Sequence, residues 1–132
     1  MMLLIGQVST ADAASGSVRV AFADRDDMVS GELPVITPGG WARGNAMPKP
    51  GETVLCAFLD NSRSAGFCLG TYYGDDHPPG TKDQRGVWFE DGSYVYYDRV
   101  AKTLNIKAAG GVKIEGDLTV TGAISRGNAD GN

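Results

Sequence analysis

From Val87 onward the chain reads as short alternating runs broken by glycine: SYVYYD, TLNIKA, GVKIEG, DLTVTG and AIS. Leu104/Ile106, Val112/Ile114 and Leu118/Val120 are apolar at every second position, with Asn105, Lys113 and Thr119 between them. Period two over short runs specifies half-buried strands, whose apolar face has to be covered. This segment is too short to build a second sheet for that purpose, and a lone ribbon would leave both edges open to other chains. The economical solution is for identical chains to wrap together. They would bury Leu104, Ile106, Val112, Ile114, Leu118, Val120 and Ile124 as a stripe on a common axis. The expectation is an elongated homo-oligomeric β-structure with a mechanical or connecting role, rather than a catalytic one.

The spacing of the stripe refines this. Ile106 to Ile114 is eight residues, Ile114 to Val120 six, and Val120 to Ile124 four. A solenoid in which one chain stacks on itself needs a fixed period. Interleaving strands from several chains do not, and Gly110, Gly111, Gly116 and Gly122 suit corners where chains approach closely. At ~4.8 Å per strand layer such a rod would be short, on the order of 20 Å.

The N-terminal part has a different texture. LLIGQVS (3–9) and SVRVAFA (17–23) read as strands, the second with Val18, Val20 and Phe22 on one face and Arg19 on the other. An acidic turn, Asp24-Arg25-Asp26-Asp27, leads to a short strand at GELPVIT, where Pro34 suggests a sheet edge. PGGWARGNAMPKPGE reads as an ordered surface loop, because a long Gly- and Pro-rich connection usually has a job or packs as an Ω-loop. TVLCAFLD and FCLGTYYG, joined by NSRSAG, complete five strands whose spacing suggests a small Greek-key or OB-like barrel. The expected organisation is a barrel over residues 1–80, a linker at 81–85, a β-helical rod at 86–125 and a polar, frayed tail at 126–132.

Composition narrows the function classes. Nineteen glycines and six prolines favour turns over long helices, and no segment reads as a helix. A net charge of −4 gives no electrostatic footprint for nucleic acid. A nucleic-acid-binding barrel also needs stacking aromatics, whereas Phe22, Phe58 and Phe67 stand in apolar, core-like settings. No apolar run is long enough to span a membrane as a helix. MMLLIGQVST has no basic n-region and reads as a first strand, so synthesis in the cytoplasm without a signal peptide is expected. Cys56 and Cys68 read as buried reduced thiols, while spacing alone leaves a disulfide between hairpin strands open.

Candidate chemistry is sparse. His77, in DDHPPG, has no second ligand close in sequence and reads as a solvated loop residue. Asp24/Asp26/Asp27 lack the spacing and distal glutamate of a calcium loop. Asp91-Gly92 among Trp88, Phe89, Tyr94, Tyr96 and Tyr97 allows a sugar-binding surface, but reads first as a hairpin turn with strand packing. No catalytic, cofactor or metal residue is assigned.

Taken in order, VRVAFADRDDMVSGELPVI, MPKPGETVLCAFLD, GFCLGTYYGDDHPP and FEDGSYVYYD with KTLNIKA resemble the phage baseplate assembly protein V family, the central spike of contractile tails. Related spikes occur in R-type bacteriocins and, more distantly, in the VgrG proteins of type VI secretion. The resemblance runs from about Gly6 to Gly122. It implies an OB-fold collar followed by an intertwined β-helix built by a homotrimer. Such a spike sits beneath the tail tube against the hub and baseplate, and sheath contraction drives it through the target cell envelope. Enzymatic relatives gain their lysozyme activity from added domains, for which 132 residues leave no room, so no enzyme is expected, and neither a cofactor nor a nucleic-acid partner. Several such spikes end in an H-x-H motif that binds iron. AISRGNADGN has no histidine, so the metal tip does not carry over. A blunt tip, a truncated chain and a separate tip protein all stay open. The alternative from another class is an oligomeric OB-fold binding module, recognising a ligand, glycan or nucleic acid through its barrel face or the 38–51 loop.

Overall fold

Alternation becomes strand wherever a partner lies within reach. In the computed structural model, which describes residues 1–23, 26, 28–60 and 65–127, the chain is all-β, with nine strands in two antiparallel sheets among those residues. It divides into two compact units, Met1–His77 and Pro78–Asn132, parted within the Pro- and Asp-rich stretch.

The first unit holds β1 (Met2–Asp12), β2 (Ser17–Phe22), β3 (Met28–Val29), β4 (Leu33–Pro34), β5 (Thr53–Phe58) and β6 (Gly66–Thr71). The sheet order is β3-β2-β1-β5-β6, with β4 also on β2. Val35, one residue past β4, bridges Cys68 of β6 in the parallel sense. The pairings therefore run from β1 through β2, β4, β6 and β5 and return to β1. Inside this cycle lie Val8, Val18, Val20, Phe22, Leu33, Val54, Cys56, Phe58 and Cys68. Phe22 and Phe58 meet edge to face, centroids 5.9 Å apart, an arrangement that aromatic quadrupoles favour. Gly6 admits no side chain, since a Cβ there would stand 2.6 Å from both Val20 Cγ1 and the Ala21 carbonyl oxygen.

Two expectations change. Pro34 does not mark an edge, because residues 33–36 lie between β2 and β6. The missing proline N–H is tolerated because its neighbours carry the bonds: Val35 N donates to Gly16 O at 2.9 Å and Ile36 N to Cys68 O at 3.0 Å. Phe67 is not core-like. Cys68 takes the inward position on β6, so alternation sends Phe67 outward, 41% exposed, while Phe22 and Phe58 are fully buried. The long loop is tied down where it rejoins the sheet: Met47 packs on the core, Gly51 N donates to Val8 O at 2.8 Å, and Val8 N to Glu52 O at 2.9 Å. Asp24, Arg25 and Asp27 of the acidic turn, residues 61–64 of the β5–β6 connection and residues 128–132 of the tail lie outside the described residues.

The second unit is a sheet of order β7-β8-β9: Gln84–Trp88, Tyr94–Asp98 and Thr103–Lys107. Gln84 and Arg85, expected in the linker, are the first residues of β7. Asp91-Gly92 makes the expected hairpin turn. Gly92 has φ 90°, the Ser93 amide donates to Asp91 Oδ1 at 2.9 Å, and Phe89 N donates to Ser93 O at 2.8 Å. Asp98 holds the next turn, accepting at Oδ1 from the amides of Val100 (2.9 Å) and Ala101 (3.1 Å). Arg99 Nε meets Asp83 Oδ1 at 2.7 Å. The strands expected at GVKIEG, DLTVTG and AIS form no ladder among the described residues. Residues 112–127 carry no helix and no sheet ladder.

Candidate functional site

Register assigns every side chain of β7-β8-β9 to one of two faces. Gln84, Trp88, Tyr94, Tyr96, Asp98 and Asn105 are half-buried on the first. Trp88 and Tyr96 stack there, centroids 5.1 Å apart and planes 15° from parallel. Tyr94 lies 5.0 Å from Tyr96, and Lys107 Nζ is 5.8 Å from the Tyr94 ring centroid. Gln84 Nε2 donates to Asp98 Oδ2 at 3.3 Å. That amide, together with the Ala101 and Val100 amides, holds the Asp98 carboxyl below its usual range. The largest contribution comes from Ala101. This face is satisfied within the chain.

The opposite face is not. Val87, Val95 and Ile106 form one cross-strand row, and Tyr97 and Leu104 are partners in the next. All five are exposed, Leu104 at 62% and Ile106 at 55%. Beyond β9, Val112, Ile114, Leu118, Val120 and Ile124 are exposed too, Ile124 at 81%. All seven residues expected on the axial stripe are therefore solvent-facing in the single chain. A run of large apolar side chains of this length is uncommon on a monomeric surface. The charges along it are small in effect: Lys113 and Glu115 pair at 3.2 Å, both well exposed. The surface can exclude water against a partner of like chemistry, and its open strand edges can accept further ladders.

Val87, Val95 and Tyr97 belong to this surface and were not assigned to it from the sequence. The signal was in YVYYD, where period two separates Val95 and Tyr97 from Tyr94 and Tyr96. The run of aromatics hides that phase.

The first unit carries a second apolar face. Leu3 and Ile5 on β1, Leu55 and Ala57 on β5, and Phe67 and Leu69 on β6 all point away from the core. An open, acid-edged hollow is lined by Glu52, Asp75 and Asp76 with Thr53, Thr71 and Tyr72. His77 is exposed, and no three His, Cys, Asp or Glu side chains converge as metal ligands among the described residues. No family model matches the chain, and no curated protein matches it.

Proposed function

We propose that the protein is the non-enzymatic central spike of a contractile injection device, a homotrimer that helps to puncture a target cell envelope. The observation that carries this reading is the uncovered apolar surface of the second unit, from Val87 to Ile124. It continues into residues 112–127, which have apolar side chains and no ladder of their own. Exposed apolar area favours burial by roughly 25 cal/mol per Å², and unpaired backbone favours partners that complete its hydrogen bonds. Three copies winding their C-terminal segments about one axis meet both demands at once, as an intertwined β-helix over residues 86–125.

The first unit supports the same reading. Its cycle of pairings, with a parallel contact between residues 33–36 and β6, is the order expected of an OB-like barrel serving as a collar. Function follows from mechanics. A rod of interwound strands resists unravelling because removing one chain breaks ladders to both neighbours. The device supplies the force, and the spike has only to be narrow and stiff. Hub, baseplate and tube would contact the collar end.

The test is absolute mass in solution by light scattering on a sizing column. Three times the chain mass of 13.9 kDa, persisting in mild denaturant, is expected. A stable monomer would sink the reading and turn attention to a binding module built on the first unit.

A further inference from the structure

Cys56 on β5 and Cys68 on β6 are direct cross-strand partners, both free and wholly buried. The ladder gives the type of pair. Leu59 N donates to Ala65 O at 2.9 Å, one step beyond the end of β5, which makes Leu59/Ala65 a hydrogen-bonded pair. Alternation along an antiparallel ladder then makes Ala57/Phe67 hydrogen-bonded and Cys56/Cys68 non-hydrogen-bonded. An independent bond agrees: the Cys68 carbonyl points away from β5 and accepts from Ile36 N at 3.0 Å. In a non-hydrogen-bonded pair the Cα atoms are about 4.5 Å apart and the side chains are at their closest, inside the range a disulfide spans.

We propose that Cys56 and Cys68 form a disulfide on exposure to an oxidising medium, stapling β5 to β6 within the closed cycle of strands. The chemistry is thiol–disulfide exchange with a small-molecule disulfide, RSSR. One cysteine sulfur takes an RS group and releases the first RSH. The second cysteine sulfur then displaces that RS group as the second RSH, leaving the Cys56–Cys68 bond. Two thiols are oxidised, one external disulfide is reduced, and both cysteine protons leave on RSH. Two features make the reaction slow. Neither sulfur is open to solvent, so the oxidant enters only when the β5–β6 hairpin opens. The Cys68 sulfur, then burial, also hold the Cys56 thiol protonated above its usual range. The result is a latch for the folded first unit, closed after the chain leaves a reducing compartment. It stands whether or not the chain assembles.

The experiment incubates the full-length protein with oxidised glutathione at about pH 8, where exchange proceeds through thiolate. Parallel samples contain mild urea to open the hairpin. Each is denatured in N-ethylmaleimide and read by intact mass and peptide mapping. The expected product carries no maleimide, yields a Cys56–Cys68 linked peptide, and takes two labels after dithiothreitol. Cys56→Ala and Cys68→Ala should each stop at a stable glutathione adduct on the remaining cysteine. Two maleimide labels on the wild-type chain in every sample, or a persistent single adduct on it, would overturn the proposal. So would an oxidised protein that unfolds at lower urea than the reduced one.

Discussion

Gly86 on β7 and Tyr96 on β8 face each other directly, and β8 comes too close at 86 to admit a side chain, two residues before the Trp88 ring that stacks on Tyr96. A Cβ at 86 would lie 2.6 Å from Tyr96 Cβ and collide with backbone atoms of β8. Gly80 yields space to the same ring, since its Cβ would lie 2.8 Å from Trp88 Cζ2. Gly86→Val is therefore expected to push β7 off β8 and cost about 1–3 kcal/mol, the usual toll of overpacking. The near-ultraviolet circular dichroism of the Trp–Tyr stack should weaken, while amide exchange in β1–β6 stays as in the wild type. An unchanged aromatic signal would show that the ring stack does not depend on the glycine.

Ser30 is the buried polar residue that holds the middle of β2. Its Oγ accepts from Val20 N at 3.0 Å and donates to Gly31 O at 2.7 Å. Ser30→Ala strands a buried amide and should cost about 1–3 kcal/mol. Urea unfolding should show a lower midpoint with an unchanged slope.

Ile106→Asp separates a free surface from a covered one. At a solvent-facing position a substitution usually changes stability by no more than about 0.5 kcal/mol. In an oligomer core the same carboxylate would be buried without a partner, and the assembly should dissociate. Light scattering is expected to show loss of the high-mass species for Ile106→Asp and Leu104→Asp. Asn105→Asp, on the half-buried face of the same strand, should keep it. Equal masses for all three would mean that the stripe is not an interface.

Acid should loosen the second unit through Asp98. Its folded pKa is depressed by the Ala101 amide first, then Gln84 and the Val100 amide. A depressed carboxylate contributes stability above its unfolded pKa, about 3.9, and loses it as pH falls through the lower folded value. The Val100 and Ala101 amides should keep their protection at pH 5 and lose it only below about pH 4. Asp98→Asn should remove that pH dependence, which nuclear magnetic resonance titration can follow.

The elements most legible in the sequence were those with one apolar face. SVRVAFA gave β2, TLNIKA gave β9 and Asp91-Gly92 gave its hairpin, because period and turn chemistry there point the same way. VLCAFL and GFCLGTY are apolar on both faces, so alternation could not say which side was core, and Phe67 was misassigned for that reason. Pro34 misled in a different way. The rule against proline in a ladder concerns the residue's own N–H, and here Val35 and Ile36 donate in its place. For the candidate surface, the seven stripe residues were readable from spacing, whereas Val87, Val95 and Tyr97 needed the register of β7 on β8.

The two units also differ in what completes them. Residues 1–77 enclose their own core, so they can finish folding as a first-order process, at a rate indifferent to how many other chains are present. Residues 78–127 end with their large apolar side chains outside. If like chains supply the cover, that half matures in a step of higher kinetic order, and dilution delays it without touching its neighbour. One polypeptide would then carry two clocks: one set by its own sequence, the other by how much of it the cell has made.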